Sequence, residues 1–174
     1  MIDTEQLIQQ AKSGDLSAFE DLIAQYIPTI ERFAFQCGVP FHHIDDVTQE
    51  VCIKLYRFLH QYEGGKFTTW LYQVTLNVVR DDYRKQQTMH TKIAHYQKEA
   101  AQQLYEKFNL DFDEDLHQAI IQLDDNYKIP IVLFYFHELT YKEIAKVLHI
   151  SMPNVKLRLL RAKKKLKSIL EGNL

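Results

Sequence analysis

Between Phe67 and Arg84 the chain reads FTTWLYQVTLNVVRDDYR, and at 3.6 residues per turn its apolar positions fall on two sides of a helix. Phe67, Trp70, Leu71, Val74 and Val78 line one side, and Tyr72, Leu76, Val79 and Tyr83 line another. Between them runs a polar strip of Thr69, Gln73, Asn77, Arg80 and Arg84, with Trp70 at its edge. A helix buried on two sides that keeps one stripe of hydroxyl, amide and guanidinium groups suits contact with a nucleic-acid strand. The plainer alternative is a core helix with a solvated polar face.

The same periodicity predicts the other elements. Thr4 to Lys12 forms a short helix capped by Asp3 or Thr4 and stopped at Gly14. Leu16 to Gln36 carries Phe19, Leu22, Ile23, Tyr26, Ile30, Phe33 and Ala34 at helical spacing, which predicts one long helix kinked at Pro28 and ended by Gly38 and Pro40. Asp45 and Asp46 suit the positive end of the next helix. Its buried face is Val47, Val51, Leu55, Phe58 and Leu59, and its opposite face is Asp46, Gln49, Glu50, Ile53 and Arg57. An Ile within a polar face is one form of a partner-binding surface. Gly64 and Gly65 break the chain before the helix that starts at Phe67.

From Gln86 to Asp115 the pattern dissolves into Gln, Lys and acids, so the chain divides into an N-terminal helical domain (1–87), a linker (88–115) and a C-terminal domain (116–174). Leu116, Ala119, Ile120 and Leu123 share one apolar face. Asp124 can cap the apolar helix Asn126 to His137, which Pro130 bends or shortens. Thr140 and Glu143 form a capping box, and Ser151 caps another helix after about three turn residues, a helix-turn-helix. In the last helix Val155, Leu159, Ala162, Leu166 and Ile169 face inward, while Lys156, Leu157, Leu160, Arg161 and Lys164 face outward. Such a helix sets its N-terminal side chains against base edges in the major groove and its basic remainder near phosphates.

Composition supports an all-α class, because Gly and Pro are few (five and four) and no alternating strand pattern competes. The net charge of −2 hides a segregation: Lys156 to Lys167 holds seven cations and no acid, while DFDED at Asp111 to Asp115 is acidic. One face is therefore built for a polyanion. Cys37 and Cys52 lack metal or redox spacing and are expected to be reduced structural thiols. His42, His43, Asp45 and Asp46 offer metal-ligating groups, but neighbouring side chains diverge and the two acids already suit a helix start. No metal and no cofactor are expected. The sequence holds no phosphate loop, HExxH or nucleophile elbow, so an enzyme is not expected. The N-terminus MIDTEQLIQQAKSGD lacks the pattern of a signal peptide and no stretch is apolar for a membrane span, which points to the cytoplasm.

Three motifs in order resemble the extracytoplasmic-function sigma factors, the minimal two-domain class of the sigma-70 superfamily. DDVTQEVCIKLY at Asp45 to Tyr56 is similar to the family's core-polymerase-binding segment, FTTWLYQVTLNVVRDDYRK to its promoter-opening segment, and LTYKEIAKVLHISMPNVKLRLLRAKKKL to its minus-thirty-five reader. The resemblance implies a factor that binds core RNA polymerase, directs promoter-specific initiation and answers to an anti-sigma factor. It assigns Asp46, Gln49, Glu50 and Ile53 to the clamp helices of the polymerase's largest subunit. Gly65, Lys66, Phe67, Trp70, Gln73, Asn77, Arg80 and Arg84 fall to the melted minus-ten strand. Ser151, Asn154, Lys156, Leu157, Arg158, Leu160, Arg161 and Lys164 fall to the minus-thirty-five duplex, Arg158 and Lys164 on its backbone. The chain departs from many relatives in placing His149 where they have Gly in the turn, and Pro153-Asn154 where they have Gly-Thr. A repressor or activator using the helix-turn-helix alone, or a single-strand-binding enzyme, are the competing readings.

Overall fold

A computed structural model describes residues 3–87, 106 and 113–172, all helices, turns and loops, without a strand among them. The expected linker lies, from 88 to 112, almost wholly outside the described residues. Five α-helices make the N-terminal half: α1 (Thr4–Lys12), α2 (Leu16–Ala24), α3 (Ile27–Gln36), α4 (Ile44–Phe58) and α5 (Phe67–Gln87). Among the described residues of the C-terminal half lie α6 (Glu114–Ile121), α7 (Asp125–Ile131), α8 (Tyr141–Leu148) and α9 (Met152–Gly172), with a π-helical turn at Val132–Phe136 after α7.

The single kinked helix expected over Leu16 to Gln36 is two helices. Pro28 has no N–H to give the carbonyl of Ala24, and its ring would strike that carbonyl, so α2 stops at Ala24 and α3 starts with Pro28 in its first turn. The apolar face expected for α4 holds except at Phe58, which is exposed. Leu59, four residues after Leu55 and at the start of a 3-10 turn, is buried as expected and closes the face. In α5 the two buried sides are present, but Tyr83 is 61% exposed because packing ends a turn earlier, at Val79. Thr75, unforeseen in the core, is buried by returning its hydroxyl hydrogen to the Leu71 carbonyl at 2.7 Å.

The C-terminal half starts earlier than expected. Asp113 accepts a hydrogen bond from the Leu116 N–H at 3.0 Å and caps α6, so the end of the acidic run is a helix start, not linker. His117 joins Ala119, Ile120 and Leu123 in the buried set, while Leu116 is half-buried. Asp124 sits at the cap position of α7, yet its side chain makes no capping bond. Pro130 lies near the end of α7, which is correspondingly short.

The capping box of α8 is complete: Glu143 N–H donates to Thr140 Oγ1 at 3.1 Å, and Thr140 N–H donates to Glu143 Oε1 at 3.2 Å. His149 ends α8 in the left-handed conformation (φ 57, ψ 45), and the Asn154 N–H donates to Ser151 Oγ at 3.3 Å to start α9. Thr140→Ala is expected to cost about 1 kcal/mol by leaving the Glu143 N–H without its acceptor, seen as a lower urea midpoint.

One apolar core runs through both halves. Phe33 sets its edge against Tyr72 and His137 at 5.4 and 5.3 Å between centroids, and Phe35 stacks on His117 at 4.5 Å. Gly38 is favoured at this seam by its φ of +98, and a Cβ there would press on Ile121 Cγ2 at 3.2 Å.

Candidate nucleic-acid and partner interfaces

The start of α5 is held by an aromatic cage. Tyr62 stacks on Trp70 at 5.6 Å and meets the edge of Phe67 at 5.7 Å, while Phe67 lies 5.8 Å from Trp70. Its hydroxyl donates to the Gly65 carbonyl, which fixes the exposed Gly64-Gly65 turn over the cage. Beside it opens a cleft of about 510 Å³ lined by Gly65, Lys66, Trp70 and Gln73, among others, large enough for a nucleobase. Phe67 is buried beneath the cleft and not part of its lining. From there Asn77, Arg80 and Arg84 continue the strip along α5, with Asn77 and Arg84 exposed. Sequence reasoning missed Tyr62, although an aromatic just before a Gly-Gly turn was there to be noticed.

Two members of the strip, Gln73 and Arg80, and Lys66 just before α5 meet the C-terminal half. Lys66 Nζ lies 2.8 Å from Glu143 Oε2, Gln73 Nε2 donates to the Lys146 carbonyl at 2.9 Å, and Arg80 Nε donates to Asp125 Oδ2 at 2.9 Å. Arg84 pairs with Asp81 on its own helix at 3.2 Å. On α4, Asp46, Gln49, Glu50 and Ile53 are all exposed on one face, Ile53 at 43%. Tyr56, next on this helix and missed from sequence, is 59% exposed, with Phe19 against it at 5.1 Å.

On α9, Lys156, Leu157, Leu160, Arg161 and Lys164 are exposed, as their spacing predicts. Met152, missed from sequence, is exposed beside Ser151. Arg158 instead leans inward: its Nε donates to Asn154 Oδ1 at 3.3 Å and its Nη1 to Asn126 Oδ1 at 3.4 Å, tying α9 to α7. Lys163 and Lys165 lie over the rings of Tyr135 and Tyr127 on the flank of the helix.

Two family patterns match the chain: Sigma-70 region 2 over residues 22–88 and Sigma-70, region 4 over residues 113–166. Among curated proteins, the extracytoplasmic-function RNA polymerase sigma factor SigW of Bacillus subtilis is 28% identical over 173 residues, covering 92% of each chain. SigM of the same organism is 28% identical over 156 residues, covering 86% of this chain and 93% of its own. The chain belongs to the extracytoplasmic-function sigma factors of the sigma-70 family. Among solved structures, CnrH in complex with the cytosolic domain of CnrY aligns at a TM-score of 0.77 with 26% identity, over 99% of this chain and 100% of that one. RpoE of Bartonella quintana, solved with the anti-sigma factor NepR, shares the fold at a TM-score of 0.66 and 16% identity, over 88% of this chain and 96% of that one.

Within this sigma factor the ionisable groups of the seam are held neutral. His137 Nε2 donates to Gln36 Oε1 at 2.6 Å, which leaves Nδ1 to accept from the Tyr72 hydroxyl at 2.8 Å. Burial lowers the His137 imidazolium to about 3, helped by Arg32, and burial lowers His117 to about 4. Burial also raises the Tyr72 phenol to about 12. Cys37 and Cys52 are free, and burial pushes both thiols up, away from the reactive thiolate. No described helix is long and apolar enough to cross a membrane.

Proposed function

We propose that this sigma factor docks on core RNA polymerase, carries it to a promoter, and holds one melted strand open for initiation, with the chemistry of RNA synthesis left to the polymerase. Residues 1–87 form the polymerase-binding and minus-ten domain, and the chain from Asp113, the cap of α6, forms the minus-thirty-five domain, with the linker between them. Asp46, Gln49, Glu50 and Ile53 of α4 meet the clamp helices of the largest subunit, where Ile53 supplies apolar area inside a polar rim. The cleft formed by Gly65, Lys66, Trp70 and Gln73 receives an unstacked minus-ten base, Asn77 bonds a base edge, and Arg80 and Arg84 hold phosphates. On α9, Lys156, Leu157, Leu160 and Arg161 face the minus-thirty-five bases, and Lys164 the backbone. Ser151 and Asn154 set the start of the helix, and the bonds of Arg158 to Asn154 and Asn126 fit a residue that orients α9 on α7 as it approaches the phosphates.

The observation that carries this reading is the α5 strip itself: an amide-and-guanidinium row beginning at an aromatic-walled cleft, in the segment that the region 2 family matches. The factor works in the cytoplasm, beside the polymerase, and needs no metal or cofactor. An anti-sigma factor controls it. RpoE was solved with the anti-sigma factor NepR and CnrH with the cytosolic domain of CnrY, and the exposed α4 face is where such a partner would compete with polymerase.

Run-off transcription with core polymerase and a promoter library tests the proposal. A discrete, factor-dependent transcript is expected, and its absence from every fragment would overturn the reading. Ile53→Asp should weaken binding to core polymerase by about tenfold or more, since it removes about 1.5–3 kcal/mol of apolar burial and buries a charge. Anisotropy of a labelled factor measures this, and affinity equal to the unchanged protein would remove Ile53 from the interface.

A further inference from the structure

The outward centre of the reader helix is apolar. Pro153, Leu157 and Leu160 stand at i, i+4 and i+7 on the side of α9 opposite the buried Val155, Leu159 and Ala162, and all three are exposed, Leu157 at 43% and Leu160 at 54%. Met152, 41% exposed, flanks the row at the first turn. A lone exposed leucine calls for no reason, whereas a row of apolar residues on one helix face does. Capping does not supply one, since Ser151 makes the cap bond to the Asn154 N–H. The polar groups of the same two turns are engaged elsewhere. Lys156 lays its Nζ over the Tyr141 ring at 5.7 Å, and Asn154 Oδ1 accepts from Arg158 Nε, whose guanidinium also reaches Asn126. What is left facing outward at this end of the helix is hydrocarbon in a rim of cations.

We propose that α9 reads its duplex by thymine methyl groups: Pro153, Leu157 and Leu160 pack on the C5-methyls of adjacent A·T pairs, so the minus-thirty-five element of this factor contains a run of about two or three such pairs. The proposal rests on the reading of α9 as the duplex reader. The charge around the row decides what covers it: Lys156 to Lys167 holds seven cations and no acid, a rim that suits a polyanion. In the major groove the thymine methyl is the apolar group on the base edges, and the rest are hydrogen-bond donors and acceptors. An apolar row set on a G·C run would strip water from guanine O6 and N7 and from the cytosine amine without replacing those bonds, which costs affinity. The row spans residues 153 to 160, about 10 Å of helix at 1.5 Å per residue, and so matches about three base-pair steps of about 3.4 Å. Specificity thus comes from burial of methyls and from the penalty on polar edges, while the cations fix register on the phosphates.

The test uses the holoenzyme assembled from the full chain and core polymerase. DNA that it retains from a library randomised over the upstream element is sequenced, and consecutive A·T pairs are expected in the recovered element. On a recovered promoter each thymine of that run is then replaced by deoxyuridine, which deletes one methyl and keeps every hydrogen bond. Each replacement is expected to weaken holoenzyme binding about fourfold, the effect of one methyl-sized group returned to water. Leu157→Ala and Leu160→Ala, at exposed helical positions where Ala is well tolerated, should weaken binding to the thymine promoter and erase most of the difference between thymine and uracil at one position each. A change that only disturbed the fold would lower affinity for both DNAs alike and leave that difference intact. A recovered element without adjacent A·T pairs, or one whose binding ignores uracil, would overturn the methyl reading while leaving α9 as the duplex reader. Leucine variants that instead lose affinity for core polymerase would place a protein on the row and overturn it as well. Failure of the duplex-reading role itself is seen separately, as recovery of no upstream sequence at all.

Discussion

Replacing Asn77 with Ala should slow promoter opening by about 10- to 100-fold while leaving affinity for core polymerase unchanged. Asn77 is exposed in the middle of the α5 strip, one turn from Gln73 at the cleft. Its amide is not tied to the C-terminal half in the way that Gln73 and Arg80 are. It is therefore free to face a base edge, and a good amide–base pair is worth about 1–3 kcal/mol. That range converts to the stated loss of rate if the contact forms only in the melted state. Folding cannot account for such a loss, because Ala is a better helix former than Asn at an exposed position. The α4 face proposed to meet polymerase is a different surface, so binding should not move. Fluorescence of 2-aminopurine placed in the minus-ten strand measures opening. Opening at the unchanged rate would refute the role of Asn77.

Local patterns were legible because they depend on neighbours in sequence. The capping box at Thr140 and Glu143, the Ser151 cap and the outward face of α9 each follow from residues within a turn or two of one another. The buried sides of α5 were legible for the same reason. What covers them was not. Periodicity states that Tyr72, Leu76 and Val79 are buried, but it is silent on whether a partner comes from the same half or the other. Gln36, His137 and Tyr72 are far apart in sequence and meet only through packing. The contacts that tie Lys66, Gln73 and Arg80 to α7 and α8 were hidden likewise, so the candidate strip could be traced while its closed state could not. Pro28 shows a different limit: the residue was noticed, but kink and break differ only in how the flanking turns repack.

Acidification from about pH 7 to about pH 4.5 should open the seam and lower stability, through His137 and His117. When the halves part, each imidazole returns toward its ordinary value near 6.5; in the closed protein they sit at about 3 and about 4. The depressed value belongs to the closed state. Its stability is thus fully present above about 6.5, where both states are neutral, and is lost as pH falls toward the folded values, where the open state alone binds protons. The slope is about 1.4 kcal/mol per pH unit for each histidine, or about 3–5 kcal/mol in all over this window, a large share of the stability of a small protein. The surrounding groups do not cancel it. Arg32 repels the charged form of His137, and Tyr72 stays neutral with its phenol at about 12. Glu143 is held below its ordinary value by its bond to Lys66, which favours its charged form in the closed protein. Urea unfolding and Trp70 emission, followed at steps of about one pH unit, should show the loss, and His137→Phe should remove about half of the slope. A stability that stays flat from about pH 7 to 4.5 would mean that neither histidine is held neutral by the closed seam.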